Sequence, residues 1–214
     1  MIRSVFNNAI WYLAAIGLLV FVWLMAQLIF PYTSGDLEID FLLTKQFYIH
    51  LWHYRWSFYL HIFSSLFILM AGLTQFSSGL LKSAAWVHRW VGKMYVFFVL
   101  VISGPAAMVM ALYANGGVFA KVSFLLLGSL WWWFTFKGFR LILKGKVEEH
   151  RAFMIRSYAL SLSAITLRVI QYMVAYFTDW DYEVFYTYNA WISWIINMVL
   201  AEIYIGRAIR SNVK

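Results

Sequence analysis

Six stretches of this chain are each apolar over about 20 residues, the length a helix needs to cross the ~30 Å hydrocarbon layer of a bilayer. They fall at about 8–30, 55–79, 87–113, 118–142, 150–177 and 184–207. Backbone surrounded by hydrocarbon must satisfy its own hydrogen bonds, so runs of this kind fold as helices. Charged residues make up 12% of the 214, about half their share in a soluble domain. The expected fold class is therefore all-α: one polytopic membrane domain over residues 1–214, with six transmembrane helices in one bundle and no soluble domain beside it.

Turn-like breaks separate the runs: Ser77-Ser78-Gly79, Asn115-Gly116-Gly117, Lys144-Gly145-Lys146 and Thr178-Asp179-Trp180-Asp181. The first run is too long for a signal-peptide core, and Phe30-Pro31-Tyr32 follows it in place of a small-x-small cleavage site. It reads as a retained helix. The segment 31–54 is the one long connection, and its aromatic-rich part from Phe41 to Tyr54 either lies in the interface or extends the second helix. The absence of cysteine excludes disulfides, thiolate zinc, iron–sulfur clusters and thiol nucleophiles.

Charge placement gives the orientation. Of the 17 lysines and arginines, all but Lys45, Arg55, Lys121 and Arg168 fall at the N-terminus, the second-to-third connection, the fourth-to-fifth connection or the C-terminus. Of the nine acids, all but Glu148, Glu149 and Glu202 lie on the opposite side. Loops rich in lysine and arginine stay in the cytoplasm, so both termini are expected there. The net charge of +8 is spread over helix ends rather than one exposed face, which does not point to nucleic acid. Trp52, Trp56, Trp86, Trp90 and Trp180 sit where interfacial aromatic belts form. Trp131-Trp132-Trp133 point around a whole helix, so at least one of them faces a neighbour, more readily for packing than for stacking on a cofactor.

Polar groups in the apolar runs are where function is sought, because hydrocarbon makes them costly. His88-Arg89 and His150-Arg151 open the third and fifth runs from the same side. A helix N-terminus disfavours imidazolium, so a neutral imidazole there has a nitrogen available to a metal. Arg89 and Arg151 suit haem propionates or lipid phosphates, and Glu148 and Glu149 suit the helix dipole. On the fifth run, His150, Ser157, Ser161 and Arg168 fall on one face of a continuous helix at about 100° per residue. That stripe forms either a lined cavity with Arg168 or a set of interhelical contacts. Gly92, Tyr95, Ser103 and Ala106 flank the His88 line, permitting close helix packing or a flat cofactor. Pro105 should kink its helix and free a carbonyl. His61 lies about 9 Å into the second helix, close to Ser64 and Ser65, and would share a face with His50 if that helix began earlier. His50 and His53 have metal-compatible spacing, but an exposed interfacial pair is the simpler reading.

The runs His61-Ile62, Gly72-Leu73-Thr74-Gln75-Phe76, His88-Arg89-Trp90-Val91-Gly92-Lys93-Met94-Tyr95 and His150-Arg151-Ala152-Phe153-Met154-Ile155-Arg156-Ser157-Tyr158-Ala159-Leu160 resemble a family of bacterial predicted membrane proteins, domain of unknown function 2306, over about residues 55–175. That resemblance implies a bacterial inner membrane and no established activity. The architecture is also similar to six-helix cytochrome b561 and ferric-reductase proteins, in which histidines on the third and fifth helices ligate one haem and those on the second and fourth another. His88 and His150 match the first pair. The fourth run has no histidine to match the second, so the likeness implies one cytoplasmic-side haem b and no two-haem wire.

Two functional readings follow. In one, the chain is a membrane redox protein: His88 and His150 ligate haem b, Arg89 and Arg151 neutralise its propionates, and the polar residues His61, Ser157, Ser161 and Arg168 serve a quinone or proton path. In the other, it is a non-catalytic membrane subunit that binds lipids and a protein partner through its aromatic surface. A carrier is less well supported, because neither an inverted repeat nor paired broken helices are evident. Hydrolysis lacks an acid paired with a nucleophile.

Overall fold

The computed structural model describes residues 2–212, with the side chains of 2–8, Ile10, Ser78 and 208–212 outside the description. Arg3, Arg210 and Lys214, used above for orientation, therefore lie outside the described side chains. The chain divides into two compact units, Met1–Phe98 and Val99–Lys214. Among the described residues there is no strand, and five helices are long and apolar enough to cross a membrane.

In the first unit, α1 (Ile2–Ile29) packs on α2 (Trp52–Gln75), which packs on α4 (Ala85–Phe97); the short α3 (Ser78–Ser83) joins the last two. Val22, Met25 and Ile29 are the buried face of α1, at the three-to-four spacing of a single helical stripe. Leu13, Ile16, Val20, Trp23 and Leu24 are exposed, as lipid-facing residues are. Ser77 caps α3 by accepting from Leu80 N at 3.2 Å.

The connection after α1 forms two 3₁₀ turns, Phe30–Ser34 and Asp40–Lys45. It folds onto α2 through Tyr32 and Phe41, whose rings meet Phe58, with Leu42 and Ile49 buried beneath. The Tyr32 hydroxyl accepts from Phe41 N at 3.2 Å. Because α2 begins at Trp52, the segment does not extend the helix, and His50 does not share a helical face with His61. The backbone before Trp52 is committed to turns, with Tyr48 N and Ile49 N both donating to Lys45 O.

The third apolar run is not a uniform helix. Residues Phe98–Ser103 are π-helical and lead into α5 (Gly104–Ala111). Pro105 has no N–H to give to the preceding ladder. In the second unit, the indole Nε1 of Trp132 donates to Leu100 O at 3.0 Å, supplying a donor to the carbonyl five residues before the proline. A tryptophan from the triple-indole run thus bonds a carbonyl of the irregular stretch before the proline. Trp131 is buried and Trp133 exposed, so the three indoles do face different surroundings.

The second unit continues with α6 (Gly117–Leu143), α7 (Val147–Ser161), α8 (Ser163–Phe177) and α9 (Tyr182–Asn212). Two of the three anticipated glycine-bearing turns are there, while Gly79 of the third lies within α3. Gly116 has φ 82° before α6, and Gly145 has φ 73° after it, conformations a side chain resists. Lys146 N and Gly145 N close α6 on Leu141 O and Ile142 O. Helix α6 packs on α5, α7 and α9, and α9 packs on α7 and α8.

The interior of this unit is small and polar: Ser103, Ser123, Thr135, Ser157, Ser163, Gln171, Asn189 and Ser193 are buried. Lipid tails are as apolar as leucine, so membrane helices are held by close packing and interhelical hydrogen bonds rather than by burying leucine. The fifth run is one membrane-length helical segment, Val147–Phe177. Only Leu162, in αR geometry, stands between α7 and α8, and it keeps its place in the ladder, donating to Tyr158 O and accepting from Thr166 N, both at 3.1 Å.

Candidate functional site

His150 stands in the first turn of α7, half-buried, with Nδ1 2.8 Å from Gly138 O on α6. A carbonyl only accepts, so this contact places the proton on Nδ1 and leaves the lone pair on Nε2. Gly138 makes the approach possible: a Cβ there would lie 2.8 Å from Met154 Sδ and 3.4 Å from Phe153 Cβ. Beside it, Lys146 and Glu149 form an exposed ion pair at 2.8 Å, and Glu148 and Arg151 are exposed.

His88 occupies the equivalent first turn of α4, half-buried, with Arg89 exposed next to it. Gln75 from α2 donates through Nε2 to His88 O at 3.1 Å. The Gln75 amide also fills the space over Gly92, where a Cβ would meet its Oε1 at 2.9 Å. Of the two uses open to Gly92, the structure shows side-chain packing. His88 belongs to the first unit and His150 to the second.

Ser157 is fully buried and its hydroxyl lies 2.6 Å from that of Thr135, which donates to Trp131 O at 2.8 Å. His150 and Ser157 thus both face α6. Beyond them, Ser161 donates to Ser157 O at 3.2 Å and Arg168 Nη1 donates to Ala164 O at 3.0 Å. His61 is half-buried on α2. Ser64 donates to Leu60 O at 2.5 Å and Ser65 to Ile62 O at 2.7 Å, bonding backbone within α2. His61 lies in the first unit and Arg168 in the second.

The most developed polar surface escaped the sequence reading. On α9, Asn189, Ser193 and Asn197 recur every four residues and face α7 and α8. Asn197 donates to Ala159 O at 3.1 Å and accepts from Thr166 at 3.0 Å. Asn189 donates to Leu167 O at 2.8 Å and to Gln171 Oε1 at 3.1 Å. On the α6 side, Ser123 donates to Ala190 O at 2.7 Å and accepts from Trp194 Nε1 at 2.9 Å. Nearer the basic end, Arg156 of α7 meets Glu202 of α9 in a two-pronged pair at 2.5 and 2.8 Å, with its guanidinium over the Phe153 ring at 5.2 Å. The fourfold spacing of Asn, Ser and Asn was the available signal.

The arrangement offers one imidazole with a defined tautomer, a hydroxyl pair behind it, and a polar seam that runs up the helices. From His150 to Gln171 that seam extends about 30 Å along the helix axis, the thickness of a hydrocarbon layer. Among the described residues no group of three or more histidine, aspartate and glutamate side chains is placed to hold a metal ion. Neither the curated proteins nor the solved structures compared with the chain include a match. The description of one family, predicted membrane protein (DUF2306), matches residues 58–205. The chain therefore belongs to that family of membrane proteins.

Proposed function

We propose that this chain is a redox protein of the bacterial inner membrane that holds one haem b near the cytoplasmic face through His88 and His150 and exchanges electrons with a quinone. The observation that carries the reading is the His150 contact with Gly138 O. Metal-ligating histidines characteristically donate their other ring N–H to a carbonyl or carboxylate, which fixes the tautomer and aims the free nitrogen. His88 is the counterpart donor at the same position in its own helix. Arg89 and Arg151, both exposed beside the histidines, have the charge to hold propionates. A haem bound there supplies one-electron iron chemistry; the chain's part is to ligate it, orient it and balance its charge. In this reading α9 is the sixth span, and both termini are cytoplasmic.

The observation favouring a non-catalytic subunit is that Ser157, Thr135, Asn197 and Thr166 bond to one another or to backbone, as structural interhelical contacts do. Purification in mild detergent separates the two. The redox reading expects a haem spectrum lost in both His88→Ala and His150→Ala. A colourless protein that co-purifies with a stoichiometric membrane partner supports the subunit reading.

A further inference from the structure

Among the described residues of the second unit, three buried side-chain polar atoms have no hydrogen-bond partner: Ser163 Oγ, Ser193 Oγ and Asn189 Oδ1. Their residues are 2%, 0% and 0% exposed. The cost of leaving such groups unsatisfied is highest where no bulk water reaches, so three of them on one seam call for a common explanation.

The helix register brings them together. Asn189 of α9 donates to Leu167 O, and Asn197 donates to Ala159 O. Both contacts advance by eight residues, in opposite chain directions. Halfway between them on α9 is Ser193, and halfway between them on the facing chain is Ser163. The two orphaned hydroxyls therefore stand opposite each other, immediately after Leu162. Asn189 is one turn from Ser193 on the same face, ~5–6 Å between Cβ atoms. Its orientation is fixed, because the carbonyl of Leu167 requires the amide nitrogen to face it, and this turns Oδ1 away from that bond.

We infer that Ser163, Ser193 and Asn189 form a binding site for one ordered water between α8 and α9. The chemistry selects an uncharged ligand that both donates and accepts. Asn189 Oδ1 can only accept, while each serine does either. One water accepting from both serine hydroxyls and donating to Asn189 Oδ1 satisfies all three; about three hydrogen bonds is the usual complement of a buried water. A cation would leave both hydroxyl protons without acceptors and, with no carboxylate among the three residues, would carry an uncompensated charge into the bilayer. The water completes the seam between α8 and α9. It does not depend on haem binding, and a colourless protein would still contain it.

The test is a double-mutant cycle on the full chain in detergent, read as thermal midpoint, beside a structure that resolves ordered waters. Ser163→Ala and Ser193→Ala are each expected to lower the midpoint, and the double variant to fall no further than the worse single, because either change dismantles the same bridge. Density for one water within hydrogen-bonding distance of both serines and Asn189 is the matching structural result. Additive midpoint shifts, with each hydroxyl bonded to a carbonyl of its own helix and no water between, overturn the site. A midpoint that rises with sodium concentration, and does so only when both serines are present, overturns the choice of water in favour of a cation.

Discussion

Glycines show how unevenly single residues bear on this molecule. At Gly92 an added methyl meets the end of the Gln75 side chain at 2.9 Å, and a flexible amide can swing away. At Gly104 the obstacle is the backbone carbonyl of Val99, which cannot. Gly92→Ala is therefore expected to cost well under 1 kcal/mol, and Gly104→Ala about 1–3 kcal/mol, the usual range for overpacking. Thermal midpoints in a single detergent check the ranking, and equal shifts would contradict it. Gly138 lies between these cases, since Met154 can yield to Ala but not to a branched side chain. Gly138→Val should push α7 from α6 and loosen His150, lowering stability by a similar ~1–3 kcal/mol and any haem occupancy with it. The histidines, arginines and Ser157 were legible as candidates because charge and imidazole are conspicuous in an apolar run. Asn189, Ser193 and Asn197 were not picked out, because neutral polar residues occur in many helices and only their partners on α7 and α8 reveal the pattern.

Among the elements, the third span, with its proline, and the fifth, with none, make an instructive contrast. Pro105 announced its own irregularity, and the backbone answered with a π-helical stretch from Phe98 to Ser103 and an indole donor from Trp132. Trp132→Phe keeps the ring and removes the donor, leaving Leu100 O short of a partner. The expected loss is about 1–3 kcal/mol, read as a lower thermal midpoint; no change would mean that another group had taken over the carbonyl. Around Leu162 no proline or glycine is near, and the backbone departs little: Leu162 is αR and keeps its bonds to Tyr158 O and Thr166 N. The one helix that periodicity leads one to expect there is present as Val147–Phe177, with Asn197 donating to Ala159 O beside the turn. The turns at Gly116 and Gly145 were readable because positive φ selects glycine. The folding of residues 30–51 onto α2 was not, because it rests on rings and buried aliphatics brought in from several turns.

For the whole molecule, the apolar exterior and polar seams identify a membrane protein, while the distribution of charge sets its proposed orientation. The absence of cysteine makes that orientation directly measurable. Single cysteines introduced at Lys144 and at Asp181 should react with a membrane-impermeant thiol reagent from opposite faces, Asp181→Cys in intact spheroplasts and Lys144→Cys only after lysis. Labelling of both from the same face would contradict six spans with cytoplasmic termini. The central claim is the haem, and its most direct measurement is the visible spectrum of the protein purified from haem-replete cells, oxidised and then reduced with dithionite. The account predicts a low-spin b-type spectrum that disappears in both His88→Ala and His150→Ala. A colourless protein that stays colourless after added haem, or a spectrum unchanged in both variants, would contradict it.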